Sequence, residues 1–382
     1  MTTIGSEERL IRQSIAALLA EHPPATTPER TFWHAQFEAG VAWVDLPVGC
    51  GGLGVSAHWR RFTEHELTSA GVSFDNVRVN PVGHGLCADA VVAHGTDAQR
   101  ATYLRALFTA EEIWCQLFSE PAAGSDVASL TTRAVRDGDH WVINGQKVWS
   151  SFAKQSSRGF LIARTNPDAP KHRGITAFIL DMSTPGVEVR PLVEMTGGAQ
   201  FNEVFLTDVR IPETDRLGDI DKGWSVVTST LSNERVLLSG SLPARGSGPI
   251  ADAVQLWKDS DQTDASRRDE LTRLWIEAEV LRLTNARANQ AAELGLPEPD
   301  GAVRKVQKAE LNQRIYELCL RIAGARGLVE IEGGGRQTYL ESDGAITWAF
   351  FRSRANTIEG GTSEMMRNLA AERVLGLPRD PR

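Results

Sequence analysis

The feature that constrains this 382-residue chain most is a change of hydrophobic period that occurs twice along it. From Glu7 to about Ala110 apolar residues recur at helical spacing, as with Ile11, Ile15, Leu18 and Leu19, and loops such as Pro47 to Gly54 interrupt them. Between roughly Trp114 and Pro212 short β-type runs take over. These are Trp141-Val-Ile-Asn, Gly159-Phe-Leu-Ile-Ala, Ile175-Thr-Ala-Phe-Ile-Leu, Val187-Glu-Val-Arg and Val204-Phe-Leu-Thr-Asp-Val-Arg-Ile. After Gly223 helical stripes return, Leu271/Leu274/Ala278/Leu281 and Leu311/Ile315/Leu318/Ile322, broken by a polar stretch from Lys258 to Asp269. A pattern written for one period does not bury its apolar face in the other. The chain therefore reads as an α+β protein, mainly α, in three blocks: helical over 1–112, β over 113–215 and a helical bundle over 216–382.

Composition removes several function classes. The net charge of −8 comes from 41 basic and 49 acidic residues with no basic block among aromatics, so no nucleic-acid partner is expected. Cys50, Cys87, Cys115 and Cys319 show no metal-ligand spacing, and the eight histidines end at His172 without an HExxH pair, so no metal site is expected. The first twenty residues carry Glu7, Glu8, Arg9 and Arg12, which does not suit a secretory signal; the expectation is a cytoplasmic protein with no membrane span. Gly83-His-Gly85-Leu-Cys-Ala88 fits a dinucleotide fingerprint on paper, but helix rather than a βαβ unit is expected around it. No G-x-S-x-G occurs, which disfavours a serine hydrolase.

One carboxylate stands out. Val227, Leu231, Glu234 and Leu238 share a helical stripe, which sets Glu234 on an otherwise apolar face. Such a residue is either a base whose affinity for protons is raised by desolvation or one half of a pair with an arginine such as Arg235.

Longer motifs decide between classes. They are Trp114-Cys-Gln-Leu-Phe-Ser-Glu-Pro-Ala-Ala-Gly-Ser-Asp-Val, Asp137-Gly-Asp-His-Trp-Val-Ile-Asn-Gly-Gln-Lys-Val-Trp-Ser-Ser, Met195-Thr-Gly-Gly, Phe201-Asn-Glu-Val-Phe-Leu-Thr-Asp-Val-Arg-Ile-Pro and Ala355-Asn-Thr-Ile-Glu-Gly-Gly-Thr-Ser-Glu-Met-Met-Arg-Asn. Taken in order they resemble the acyl-CoA dehydrogenase family. The resemblance implies an N-terminal helical domain, a middle β-barrel or sandwich domain and a C-terminal four-helix bundle. It also implies FAD as cofactor and an acyl-CoA thioester as substrate, oxidised to the trans-2-enoyl-CoA. Phe118, Ser119, Trp149 and Ser151 match positions around the flavin, as do Thr362 and Glu364, and Ser125 matches one near the thioester ligand. The family carries its base either on the loop position occupied here by Gly360 or on the helix position occupied by Glu234. A glycine takes no proton, so Glu234 is the expected base, with Glu359 as the alternative, Gly360 offering its N–H to the thioester oxygen and Arg235 near the substrate.

The pattern departs from the family where one subunit reaches its neighbour's FAD. The nearest equivalents of the usual arginine and glutamine are Arg268 and Arg321. Such a departure resembles actinobacterial relatives that act on bulky steroid-derived thioesters as heterotetramers. Homotetramer and heterotetramer both stay open, with an electron-transfer flavoprotein as expected acceptor. An oxidase on the same scaffold and a non-catalytic partner subunit are the competing readings.

Overall fold

The computed structural model describes residues 2–230, 243–293, 301–328 and 346–379. The N-terminal stripe becomes α1 (Thr2–Glu21), followed by α2 (Glu29–Glu38), α3 (Arg60–Ser69), α4 (Asp75–Val79), α5 (Ala88–His94) and α6 (Asp97–Phe108). Ile11, Ile15 and Leu18 of α1 are buried in their shared core. The start of α6 is set by a capping box: Thr96 accepts from Gln99 N (3.2 Å) while its own N–H donates to Gln99 Oε1 (2.9 Å). Gly83–Cys87 forms one π-helical turn running straight into α5, so the fingerprint-like string is helix on both sides of Ala88. Asn80 then ties this layer to the β region, donating to the Leu107 and Glu112 carbonyls and accepting from Trp114 N.

Eight strands follow: β1 (Trp114–Leu117), β2 (Arg133–Asp137), β3 (His140–Lys147), β4 (Arg158–Arg164), β5 (Ile175–Asp181), β6 (Val187–Pro191), β7 (Asn202–Pro212) and β8 (Arg216–Leu217). Their order is β6-β7-β3-β2-β4-β5-β8, with β1 added parallel to β4. The β2–β4 seam is a single residue pair, Arg133 with Arg164, so the sheet folds there into two layers. Trp141, Ile143, Val204, Leu206 and Ile211 of one layer meet Leu161, Phe178 and Leu180 of the other, with the Trp141 and Phe178 rings 5.5 Å apart. The opposite face of β4 and β5, through Phe160, Ile162, Ala177 and Ile179, packs on the N-terminal helices. Burial on both faces explains why β4 and β5 are continuous apolar runs while β3 and β7 alternate.

Residues 223–230 form α7, and the chain continues through α8 (Pro249–Lys258), α9 (Ala265–Glu293), α10 (Gly301–Ala323), α11 (Ile346–Ser353) and α12 (Ser363–Leu369). The two expected stripes meet in one core: Leu271 and Leu274 with Leu311, Ile315, Leu318 and Ile322, and α10 at its centre. The chain divides into two units, Met1–Leu192 with Gln200–Leu231 and Val193–Ala199 with Ser232–Arg382. The N-terminal helices and the β-sandwich thus form one unit and the bundle the other. Among the described residues no helix is long and apolar enough to cross a membrane, and all four cysteines are free and buried.

Candidate active site

In the first unit, the segment leaving β1 and the segment leaving β3 run side by side because one buried ion pair joins them. Lys147, fully buried, donates to Glu120 Oε1 (2.8 Å) and to the Phe118 carbonyl (3.1 Å). Glu120 also accepts from Thr131 N and Oγ1 and from Thr132 N, at 2.7, 2.8 and 2.9 Å. Burial opposes the charge on Glu120, but the Lys147 ammonium and these donors outweigh it and hold its pKa at about 2. Burial pushes Lys147 down to about 8 despite its partner, so both groups are charged at neutral pH. Both carboxylate oxygens of Glu120 and two of the three Lys147 donors are engaged, which is what makes such a pair tolerable in an interior. The Val148 N–H donates to the Ser119 carbonyl (2.9 Å), which carries the coupling one residue further on both segments.

Beyond Val148 the backbone is strained. Trp149 and Phe152 both have φ of 60°, the left-handed region that bulky side chains avoid. The conformation is over-determined by its neighbour: Ser150 and Asn202 exchange N–H···O bonds at 3.1 Å, the Asn202 amide donates to the Ser150 carbonyl (2.9 Å), and Phe152 N donates to Gln200 O. The outcome is a Trp149 indole that is 60% exposed and meets Phe201 in a T-shaped contact with ring centroids 5.8 Å apart. Strain that serves to hold an aromatic ring outside the core is characteristic of a ligand platform.

Phe118 is buried against Phe160 (5.1 Å between rings), and Ser119 and Ser151 are half-buried beside it and beside Trp149 in sequence. Ser125 is exposed on the loop after the Glu120–Ala123 turn, next to Asp126, which Lys171 holds at 2.8 Å. Three contributors escaped sequence reasoning. Lys147 and Glu120 read as ordinary members of a motif, and Gln116 sits among apolar residues on the β1 face shared with Trp114 and Phe118. Its buried Nε2 has no partner among the described residues. A glutamine alternating with two aromatics in a strand is the signal that would have found it.

In the second unit the turn Thr357–Thr362 carries the remaining expectations. Gly360 and Gly361 have φ of 64° and 96°. The φ at Gly361 favours glycine, and a Cβ there would also press on the end of the Met366 side chain, 2.5 Å from its Cε. Neither glycine N–H donates to any acceptor among the described residues. Glu359 is gripped by Arg352 (2.8 and 3.3 Å) and by the Asn356 amide (2.8 Å). Thr362 caps α12 by accepting from Met365 N (3.2 Å), and Glu364 is exposed in the first turn of that helix. Arg268 is exposed near the start of α9. Arg321 pairs with Glu270 at 2.5 Å within its own bundle. Glu234 and Arg235 lie outside the described residues.

The residues of the first unit suit FAD on structural grounds: an open indole, an orphaned buried amide at Gln116 and an orphaned buried hydroxyl at Ser150 are groups a planar, hydrogen-bonding ring would complete. Sequence models agree on family. "Acyl-CoA dehydrogenase, N-terminal domain" matches residues 6–111, the middle domain 115–209 and the C-terminal domain 221–375. Acyl-CoA dehydrogenase FadE34 of Mycobacterium tuberculosis is 38% identical over 370 residues, covering 97% of this chain; the chain spans about half of that relative, 49%. Acyl-CoA dehydrogenase IpdE1 of the same organism is 34% identical over 356 residues, covering 92% of this chain and 89% of the relative. The solved Tcur3481-Tcur3483 steroid ACAD superposes with a TM-score of 0.74 at 28% identity, covering 98% of each chain.

Proposed function

The chain belongs to the acyl-CoA dehydrogenase family, and on that premise we propose that it is a flavoenzyme that oxidises the Cα–Cβ bond of an acyl-CoA thioester to the trans-2-enoyl-CoA. The observation that carries this reading is the strained, outward-facing Trp149 beside segments locked by the Lys147–Glu120 pair. Phe118, Ser119, Trp149 and Ser151 hold the flavin, Trp149 by stacking and excluding water, the serines and neighbouring backbone by hydrogen bonds. Gln116 joins them from β1. FAD, when bound, supplies the hydride acceptor.

The rest belongs to this chain's own groups. Glu234 takes the α-proton. Glu359, the other candidate, has both carboxylate oxygens already engaged by Arg352 and Asn356. The Gly360 N–H, which has no acceptor among the described residues, bonds the thioester oxygen and so stabilises charge developing there as the α-proton leaves. By the family resemblance Thr362 and Glu364 are assigned to the cofactor, and Ser125 and Arg235 to the substrate. The substrate class is a bulky, steroid-type acyl-CoA, as the name of the Tcur3481-Tcur3483 relative suggests. An electron-transfer flavoprotein accepts the electrons.

One observation favours assembly with a related subunit. Arg321 pairs with Glu270 in its own bundle, whereas Arg268 is exposed near the start of α9. A heterotetramer in which some interfaces hold no flavin would need no more.

The test is to purify the chain, record its flavin absorbance, and titrate it anaerobically with short, branched, long and steroid-type acyl-CoAs. Bleaching by the steroid-type thioester, lost in Glu234→Gln with flavin retained, is the expected result. A yellow protein that no thioester bleaches overturns the reaction, and full-rate bleaching of Glu234→Gln overturns the base. A colourless protein that acquires flavin only with a related subunit assigns the site to the pair.

A further inference from the structure

Two adjacent glycines loosen the backbone of the turn before α12, since glycine gives up more freedom on ordering than any other residue. Yet the reading above needs the Gly360 N–H at one place, because an N–H that wanders stabilises no developing charge. Side chains from two helices meet that need from opposite ends of the turn. On the N-terminal side, Arg352 of α11 forks onto Glu359 at 2.8 and 3.3 Å while Asn356 holds the same carboxylate at 2.8 Å. Both ends of this ion pair are largely sheltered, with side-chain exposures of 11% and 20%. On the C-terminal side, Lys305 of α10, itself buried, donates its Nζ to the Gly361 carbonyl at 2.6 Å. The next residue, Thr362, is then pinned as the cap of α12.

The pinned groups alternate with free ones. Glu359 N donates to Ala355 O (2.9 Å), its side chain goes to Arg352, and Gly361 O goes to Lys305. The Gly360 and Gly361 N–H groups between these anchors donate to nothing among the described residues. Ile358, one residue earlier, is 65% exposed, so apolar packing does not fix this turn. We propose that Arg352, Glu359 and Lys305 are positioning residues that clamp the Gly360–Gly361 turn and thereby set the catalytic power of its open N–H groups, Glu359 serving as an anchor and not as a base. The inference rests on the thioester reading for its kinetic half only.

The experiment uses the full chain with its flavin, as Arg352→Met, Arg352→Lys, Lys305→Met, Glu359→Gln and the Arg352→Met/Glu359→Gln double variant. Amide hydrogen exchange is followed on peptides covering 357–363, beside kcat and KM for the thioester that bleaches best. A clamp predicts that Arg352→Met and Lys305→Met speed exchange of the turn and lower kcat about tenfold with KM moving less than about twofold, because the interaction lost belongs to the transition state. Arg352→Lys, which keeps one charge-assisted bond, recovers part of kcat. Glu359→Gln keeps one of the two acceptor oxygens, speeds exchange of the turn and lowers kcat by less than Arg352→Met while still reducing the flavin, and the double variant is no worse than Arg352→Met because both act through one contact. Loss of flavin reduction in Glu359→Gln with unchanged exchange would make Glu359 the base and overturn the proposal, as would parental exchange and kcat in both Arg352→Met and Lys305→Met. Should Lys305→Met fail to fold, the Arg352 and Glu359 variants decide the matter by the same two readouts. If no thioester reduces the parent flavin, the functional reading fails by itself, and the exchange rates alone decide the clamp.

Discussion

In the sandwich unit, Lys147 and Glu120 sit within the protein interior and tie three segments together, 118–120, 131–132 and the end of β3; in the bundle unit, the Gly360 turn hangs from individual side chains of α10 and α11. Both arrangements hold backbone groups in place, in the proposed reading for a ligand. They differ in what else depends on them. The Lys147 pair is continuous with the packed core between the two sheet layers, so its loss is a loss of fold. The turn at Gly360 is held by a few side chains of α10 and α11, so its loss is expected to be local. A protein that must keep one planar cofactor for its lifetime, and admit and release a substrate at each turnover, gains from placing the first task on a rigid element and the second on an adjustable one.

The sharpest way to break that contrast is to unpair the interior. Glu120→Gln leaves a buried ammonium without a counter-charge, and Lys147→Met leaves a buried carboxylate; each should cost about 3–5 kcal/mol of unfolding free energy, read by chemical denaturation, and lower flavin content with it. Survival of either variant at full stability would mean that the pair is ornamental. The pH profile tests the same point without mutation. The folded pKa of Glu120 lies at about 2 against an ordinary 4.5, so the folded state is favoured by the ionised form. That contribution is complete above pH 4.5 and is lost as pH falls from there toward 2, an effect of about 3 kcal/mol for a shift of this size. Glu120→Gln should flatten this acid limb, measured as stability against pH between about 5 and 3.

How much of this was legible beforehand follows the same division. The three-block order, the buried stripe of α1 and the two bundle stripes were readable because each is a periodicity, and periodicity survives in a single sequence. Trp149 was readable only through its motif. Nothing local in Val-Trp-Ser-Ser says that the backbone turns left-handed there; Asn202, some fifty residues away in sequence, imposes it. Lys147 looked like the polar end of a strand, since a charged residue is placed inside by sequence patterns only if its partner is known, and Glu120 comes from a different strand end. The grip of Arg352 on Glu359 was hidden for the same reason. A carboxylate beside a glycine pair reads as free until a side chain seven residues earlier is seen to hold it.

Smaller effects sharpen the comparison by separating strain from contact. At Trp149, glycine relieves the left-handed backbone, worth about 1 kcal/mol, while removing the ring contact with Phe201, worth about as much. Trp149→Gly should therefore leave the flavin-free protein near parental stability, whereas Trp149→Ala keeps the strain and should be less stable than Trp149→Gly by about 1 kcal/mol. Both should bind FAD more weakly, measured by fluorescence titration, because the platform is gone. Equal stability of the two variants would show that the backbone at 149 is not strained, and unchanged affinity would remove the indole from the cofactor site.

The smallest expected change is at the cap of α12. Thr362→Ala removes the acceptor for Met365 N at 3.2 Å and should cost about 1 kcal/mol, within the range for such caps. If the second unit is the adjustable one, this cost appears as faster hydrogen exchange confined to the start of α12 and the turn before it, with the sandwich unit unaffected. Exchange spreading into β1 and β3 in Thr362→Ala would mean that the two regions are energetically one. The division of labour between a fixed cofactor wall and a movable thioester clamp would then have to be abandoned.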